Sequence, residues 1–311
     1  MKWFWGFLGG CVLGWTSACV GDSPPTRTLG DCLSEAQPND GTPSCAETPF
    51  AAWTRPDLRD PLILAGSGAM VPLFSRLAQR FGTLGGPRVI VIPDSLGSGG
   101  GVRAAWDGAI DVAMMARPLT PAEAGLGLLR VAVARDIVLL AAHPEFPRDG
   151  FSAAELPALF VAGQGVRTDN DNDVVTPLLR DRAESANAAL DLVVPGLETA
   201  REQAYASRRL RVLYSDQAMA AALLTMPGRF GVFSKTFLSV QRLPLKTLQI
   251  DGVVPSSENV LAQKYKAVRD VELVFRQDRA TRTAAFVAFL RSDEARSLLL
   301  AMGCLLPTEK P

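Results

Sequence analysis

The chain has 311 residues, with 32 lysines and arginines against 32 aspartates and glutamates. That balance leaves no global field to recruit nucleic acid or an acidic membrane surface. Hydrophobic content of 48% and aromatic content of 7% mark a globular chain, long enough for one large domain or two ordinary ones.

The first residues read as an export signal. Lys2 supplies a positive start, and Trp3 to Trp15 form an apolar stretch too short for a permanent span. Thr16, Ser17 and Ala18 are small residues before Cys19, a pattern that resembles a bacterial lipoprotein signal, in which the cysteine takes lipid. The alternative is an ordinary secretory signal cleaved after Ala18. Either reading exports the chain to the periplasm or cell envelope; in the first it touches the membrane only through a lipid on Cys19. An oxidising compartment favours a Cys32–Cys45 disulfide, and the other reading leaves Cys32, Cys45 and Cys304 reduced. The only histidine is His143 and no Cys-x-x-Cys pair exists, so a zinc site is rejected; no cofactor is expected. Residues 20–60 are rich in Pro, Thr, Ser, Asp and Gly and read as a tether.

Folding is expected to begin at Pro61. "LILAGSGAM" predicts a strand running into a glycine turn, and "VPLFSRLAQRFG" spaces Leu73, Leu77 and Phe81 at helical intervals. "RVIVIPDS" is a second strand, "GGVRAAWDGA" a short helix and "IDVAMMA" a third strand. This alternation predicts a parallel sheet covered by helices. "LRVAVARDIVLLAAHP" is a β-prone run long enough to pass from one lobe to another. Residues 151–250 hold the helices "SAAELPALFV" and "DQAMAAALLTM" and the strands "RFGVFS" and "LKTLQI". "VELVF" is one more strand, and one or two helices close the chain. "TDNDND", 168–173, alternates like a calcium loop but lacks the glycine and glutamate offsets of an EF-hand, so it reads as a solvated turn.

"SLGSGGGVR", Ser95 to Arg103, is the stretch with most chemistry. A strand, a glycine loop and a helix leave unpaired N–H groups at the positive end of a helix dipole, a general anion site. Ser98 adds a hydroxyl. A dinucleotide fingerprint would need glycine where Val102 stands, and the Gly-Lys-Ser/Thr of a P-loop is absent. Taken alone, the loop is equally compatible with a plain connection. "GSGAM", Gly66 to Met70, occupies the same point of the preceding unit, so two glycine turns would meet at one sheet edge, where open α/β sheets bind ligands. Arg117 would project from that edge; its alternative is a surface arginine paired with Asp111 or Glu123.

These segments resemble the phosphate-binding proteins of bacterial ABC phosphate-uptake systems. The resemblance rests on "AGSGAMVPLFSRLAQRF", "SLGSGGGVRAAWDGAIDVAMMARPL", "LQIDGVVPSSENVLAQKYKAVRDVELVF" and "AAFVAFLRSDEARSLLLAMGCLLP", in order, and is weakest from about 150 to 225. It implies a two-lobed α/β fold of the type II periplasmic-binding-protein kind. Each lobe is then a mostly parallel sheet covered by helices, with the ligand between them. The expected organisation is a signal at 1–18, anchor and tether at 19–60, one lobe from 61–135 plus about 270–311, and the other from about 136–269. It also implies a monomer that binds inorganic phosphate or a related oxyanion for an ABC permease, with no chemical step.

Carried over by position, the ligand-binding residues are Gly68 and Ala69 of the first turn, Ser98 and Gly99 of the glycine loop, and Arg117. From the second lobe come Arg180 or Arg182, then Ser185, with Asn187 where the family has threonine. The chain departs from the pattern at Met70, which replaces a threonine, and at Ala116, where the family has an aspartate or serine. Those losses favour an alternative, a degenerate binding domain acting as a sensor or interaction module. A third reading, an exported hydrolase, finds no Gly-x-Ser-x-Gly elbow and no partner for His143.

Overall fold

The computed structural model describes residues 60–167 and 174–307. The export signal, Cys19, the Cys32–Cys45 bridge and the 168–173 run lie outside the described residues. Strand β1 (Leu62–Gly66) is almost wholly buried, the pattern of a parallel strand covered on both faces. It lies between β2 (Val89–Val91) and β3 (Val112–Met115), parallel to both. Helix α1 (Val71–Thr83) takes Pro72 in its first turn and buries Leu73, Phe74, Leu77 and Phe81. Helix α2 (Gly97–Trp106) buries Ser98, Gly101, Val102 and Ala105.

Two glycines set how closely these elements approach. Gly66 has φ of +143°, and a Cβ there would lie 2.3 Å from the Met114 carbonyl oxygen. A Cβ on Gly101 would lie 2.8 Å from the Gly66 Cα, so α2 rests directly on the end of β1. Gly66→Ala is therefore expected to cost about 3 kcal/mol, combining backbone strain with a clash that only backbone movement relieves. Gly82 in α1 has nothing within 4 Å of its virtual Cβ, so Gly82→Ala is expected to stabilise by about 0.5–1 kcal/mol. Urea unfolding of the two variants should move the midpoint in opposite directions. Equal midpoints would contradict the packing described for β1.

Strand β4 (Leu129–Ala142) has 14 residues and runs through two environments. Its first part, Leu129 to Ile137, pairs antiparallel with β11 (Val268–Phe275), which also pairs with β3. Its second part pairs antiparallel with β9 (Arg229–Ser234) on one edge and β10 (Lys246–Ile250) on the other. Beyond β9 lie β7 (Val174–Arg180), parallel to it, and β6 (Val166–Arg167), antiparallel to β7. The short strands β5 (Gly150–Phe151) and β8 (Val212–Leu213) pair with β10 and β7. The main strand order is β2-β1-β3-β11-β4-β9-β7-β6.

The apolar side chains divide along the same line. One cluster joins Leu64, Phe74, Phe81, Val112, Leu273 and Phe286; the largest other one joins Ile137, Leu140, Phe160, Leu190, Phe230 and Tyr265. The chain leaves the first cluster between Ala134 and Ile137 and re-enters it between Ala267 and Val271. Helices α10 (Ala280–Arg291) and α11 (Asp293–Ala301) close the first cluster, with Phe286 meeting Phe81 edge-on at 5.3 Å. Cys304 is buried and unbridged, 3.4 Å from the Thr236 hydroxyl, and burial pushes its thiol up to about 12. That thiol is inert at neutral pH.

The long crossing strand, the three N-terminal strands and the two closing helices follow the sequence expectation. Strand β7 does not announce itself, because Pro177 sits in its middle opposite Phe230. A proline has no N–H for the ladder and argues against a central strand.

Candidate functional site

The turn Gly68–Met70 follows β1 and is buried. A Cβ on Gly68 would come 2.8 Å from Ser95 Oγ and 3.4 Å from Asp216 Oδ2. The turn therefore sits against the glycine loop on one side and against a carboxylate from the other half of the sheet on the other. Helix α2 starts at Gly97 with no side-chain cap and no acidic residue in its first turn. Its first N–H groups therefore keep their donor character, apart from Gly97, which donates to Ser95 Oγ at 3.2 Å. Ser98 is buried and its Oγ accepts the Ala116 N–H at 3.2 Å; the hydroxyl proton remains available to donate.

Arg117 lies beside Gly99, whose virtual Cβ would be 3.2 Å from the Arg117 Nη2. Its guanidinium forks onto Glu123 of helix α3 (Pro121–Ala124), with Nη1–Oε2 at 2.7 Å and Nη2–Oε1 at 2.8 Å. That pairing holds the Glu123 carboxyl at about 2. Asp111 takes a different course: it accepts the Ile63 N–H and faces Arg279 and Arg282.

Arg180 ends β7 and is 2% exposed. Its Nη2 donates to Glu184 Oε2 at 2.8 Å and reaches Asp216 Oδ2 at 3.3 Å. Its Nε and Nη1 are buried with no hydrogen-bond partner. Arg182, two residues on, is exposed, paired with Glu202 and laid over the Tyr205 ring at 4.3 Å. Burial thus separates the two arginines that the sequence leaves equivalent.

Glu184 caps helix α5 (Ser185–Asp191): its Oε1 accepts the Ala186 N–H and, at 2.9 Å, Arg269 Nη1, while Oε2 takes Arg180. Burial alone would raise its pKa, but Arg269 and Arg180 outweigh burial and hold the carboxyl at about 2. Ser185 Oγ accepts from the same Arg269 nitrogen at 2.8 Å. Asn187 donates to the Asp181 carbonyl, while its Oδ1 is buried and unpartnered. Asp216 opens helix α7 (Asp216–Thr225) and is buried; there burial wins over Arg180 and raises its pKa. Arg269 on β11 stands opposite Asp136 on β4 and donates to it at 3.0 Å.

The structure thus brings Gly68, Ser95, Asp216, Arg180, Glu184, Ser185 and Arg269 into one chain of contacts. Ser98, Gly99 and Arg117 form a second set, with Ser98 bonded to Ala116, and Arg117, beside Gly99, bonded to Glu123; α2 meets the first set through the Gly97 N–H on Ser95 Oγ. Ala69 is buried within the turn. Asp216, Glu184, Arg269 and Asp136 are absent from the sequence reading. A faint signal existed for three of them: Glu184 lies four residues after Arg180, and Asp136 and Arg269 are charges inside apolar strands. His143 Nδ1 accepts the Glu145 N–H in a turn. Among the described residues no group of three or more His, Cys, Asp or Glu side chains is placed to hold a metal ion.

A family model described as a PBP superfamily domain matches residues 36–294. No curated protein matches the chain. Among solved structures, a protein from Clostridium perfringens described as a phosphate ABC transporter substrate-binding protein, with phosphate bound, aligns with a TM-score of 0.70 at 18% identity. The match covers 80% of this chain and 100% of that one. An ABC-type phosphate transport receptor from Vibrio cholerae aligns with a TM-score of 0.58 at 19% identity, covering 79% of this chain and 100% of that one. At these identities the alignments establish the fold, the type II α/β architecture expected from the sequence.

Proposed function

The chain belongs to the PBP superfamily, and from that premise we propose that it is a solute-binding protein for a small oxyanion, phosphate foremost, serving an ABC permease. One observation carries the reading. Arg180 is buried with Nε and Nη1 unpartnered, and its partner Asp216 packs against the Gly68 turn. A buried donor without an acceptor costs about 1–3 kcal/mol, and an oxyanion would satisfy one of the two. The two solved structures above are described as a phosphate ABC transporter substrate-binding protein and an ABC-type phosphate transport receptor, which supports the ligand class.

In this reading 61–135 and about 270–311 form one lobe and about 136–269 the other, and β4 and β11 act as the hinge. The split of the apolar clusters at Ala134/Ile137 and Ala267/Val271 supports that division. Export and lipid attachment at Cys19 complete the proposal, with the protein waiting at the cell envelope as a monomer. It performs no chemistry of its own.

A second reading, a binding domain that has lost transport, has one observation in its favour. Arg117 and Arg180 are each held by carboxylates of the chain itself. Calorimetric titration separates the two. The protein is unfolded and refolded to strip carried ligand, then titrated with phosphate. Saturable binding that Ser98→Ala weakens about tenfold, one lost hydrogen bond, is the expected result. No heat with any oxyanion would leave the second reading standing.

A further inference from the structure

Helix α1 has two working faces. Leu73, Phe74, Leu77 and Phe81 are buried, while Arg76, Gln79, Arg80 and Thr83 repeat the i, i+3, i+4, i+7 spacing on another side. That side forms one wall of a crevice of about 450 Å³. Helix α8 (Lys235–Gln241) with Arg242 forms the second wall, and the end of α11 with Met302 the third. The crevice lies along a seam in the core. Phe237 of α8 belongs to a cluster with Leu139 and Phe233, yet Val240, one turn on, packs against the first cluster. Seams of this kind are where small-molecule sites concentrate, and the volume is in their usual range.

The charges along the seam do not cancel. Arg76, Arg80 and Arg242 line it, and no carboxylate does. Arg80 is neutralised by Glu294 at 2.7 Å. Arg76 donates to the uncharged Gln79 at 3.3 Å, and neither Arg76 nor Arg242 has an ion-pair partner among the described residues. Arg242 closes α8 in the left-handed region, φ +51°, with its N–H on the Ser239 carbonyl, which fixes where its side chain starts. Beneath these two cations the lining is apolar: Val240, Leu298, Ala301 and Met302. A bare phosphate ion would leave that floor wet, and a hydrocarbon would leave both guanidiniums without an acceptor. A carboxylate on an apolar chain satisfies both at once.

We propose that this crevice is a second ligand site, which takes a small amphiphilic carboxylate of the fatty-acid kind. The head meets Arg76 and Arg242, and the chain lies along Val240, Leu298 and Met302. The site is separate from the oxyanion site: it borders the later turns of α1, whereas the Gly68 turn leads into that helix's first residue.

Titration of the full chain with octanoate, octylammonium and acetate, near neutral pH, tests head and chain separately. Octanoate is expected to bind at least about tenfold more tightly than octylammonium and about a hundredfold more tightly than acetate, with or without excess phosphate. Arg242→Gln should weaken octanoate about tenfold, and Ala301→Glu, which puts a carboxylate on the floor, should weaken it further. Both positions are exposed, so urea midpoints without ligand should match wild type. Octanoate and octylammonium bound alike would overturn the proposal, as would no octanoate binding by wild type; neither arm needs a variant. Octanoate displaced by phosphate, or lost in Ser98→Ala and kept in Arg242→Gln, would place it in the oxyanion site and overturn the proposal equally. A chain that binds octanoate but no phosphate would leave this site standing and sink the oxyanion reading alone.

Discussion

Arg180→Met is expected to weaken oxyanion binding and to destabilise the fold. A free nitrogen of Arg180 would give a charge-assisted hydrogen bond worth about 1.5–3 kcal/mol, so losing it weakens binding about tenfold to a hundredfold. Methionine keeps much of the volume but removes the cation that faces Asp216 at 3.3 Å and Glu184 at 2.8 Å. Glu184 keeps Arg269, whereas Asp216 loses the only ion-pair partner it has among the described residues. Stranding a buried charge typically costs about 3–5 kcal/mol, and the raised pKa of Asp216 gives it an escape by taking a proton. The stability loss should therefore sit at the low end of that range and shrink as pH falls. Adding Asp216→Asn to Arg180→Met is expected to return much of the stability and none of the affinity. Urea midpoints read the first effect and calorimetry the second. Affinity within threefold of wild type in Arg180→Met would show that the arginine is a structural counter-ion, and the loss-of-transport reading would follow.

The N-terminal half of the fold was legible because its signals are local. Apolar runs end in glycines, and Gly66 and Gly101 sit where β1 and α2 touch. The glycine loop could be recognised as a helix start for the same reason. What was not legible is the charge network, and the cause is distance along the chain. Asp136 and Arg269 lie 133 residues apart, and Arg269 and Glu184 lie 85 apart. No spacing rule joins them. The choice between Arg180 and Arg182 turns on burial alone: one ends a buried strand and the other begins an exposed turn. For Arg117 the sequence offered Asp111 and Glu123 as partners. The capping box at Thr120 settles it by holding Glu123 in reach, while Asp111 is engaged by the backbone of β1.

Arg269→Met is expected to cost about 3–5 kcal/mol, more than any other single change to the network, because this arginine joins the crossing strands to the site. It makes two contacts with Asp136 at 3.0 Å, one with Glu184 at 2.9 Å and one with Ser185 at 2.8 Å. Asp136 is 0% exposed, and without Arg269 its remaining partner is the Thr236 N–H at 3.0 Å, too little to hold an ionised carboxylate in place. Asp136→Asn is the informative contrast. The amide oxygen keeps the Thr236 bond, and Arg269 keeps Glu184, so the loss is expected to be about half as large. The binding effect should have the same sign as that of Arg180→Met and a different cause. With Arg269 gone, Glu184 turns both oxygens to Arg180 and competes harder with a ligand, so oxyanion affinity should fall by about tenfold while the binding groups themselves are intact. Denaturant unfolding and titration of the same two variants give both numbers. A cost below about 1 kcal/mol for Arg269→Met would mean that β4 and β11 are held by their ladder and apolar clusters alone, and that the network serves the site without supporting the strands that would flex around it.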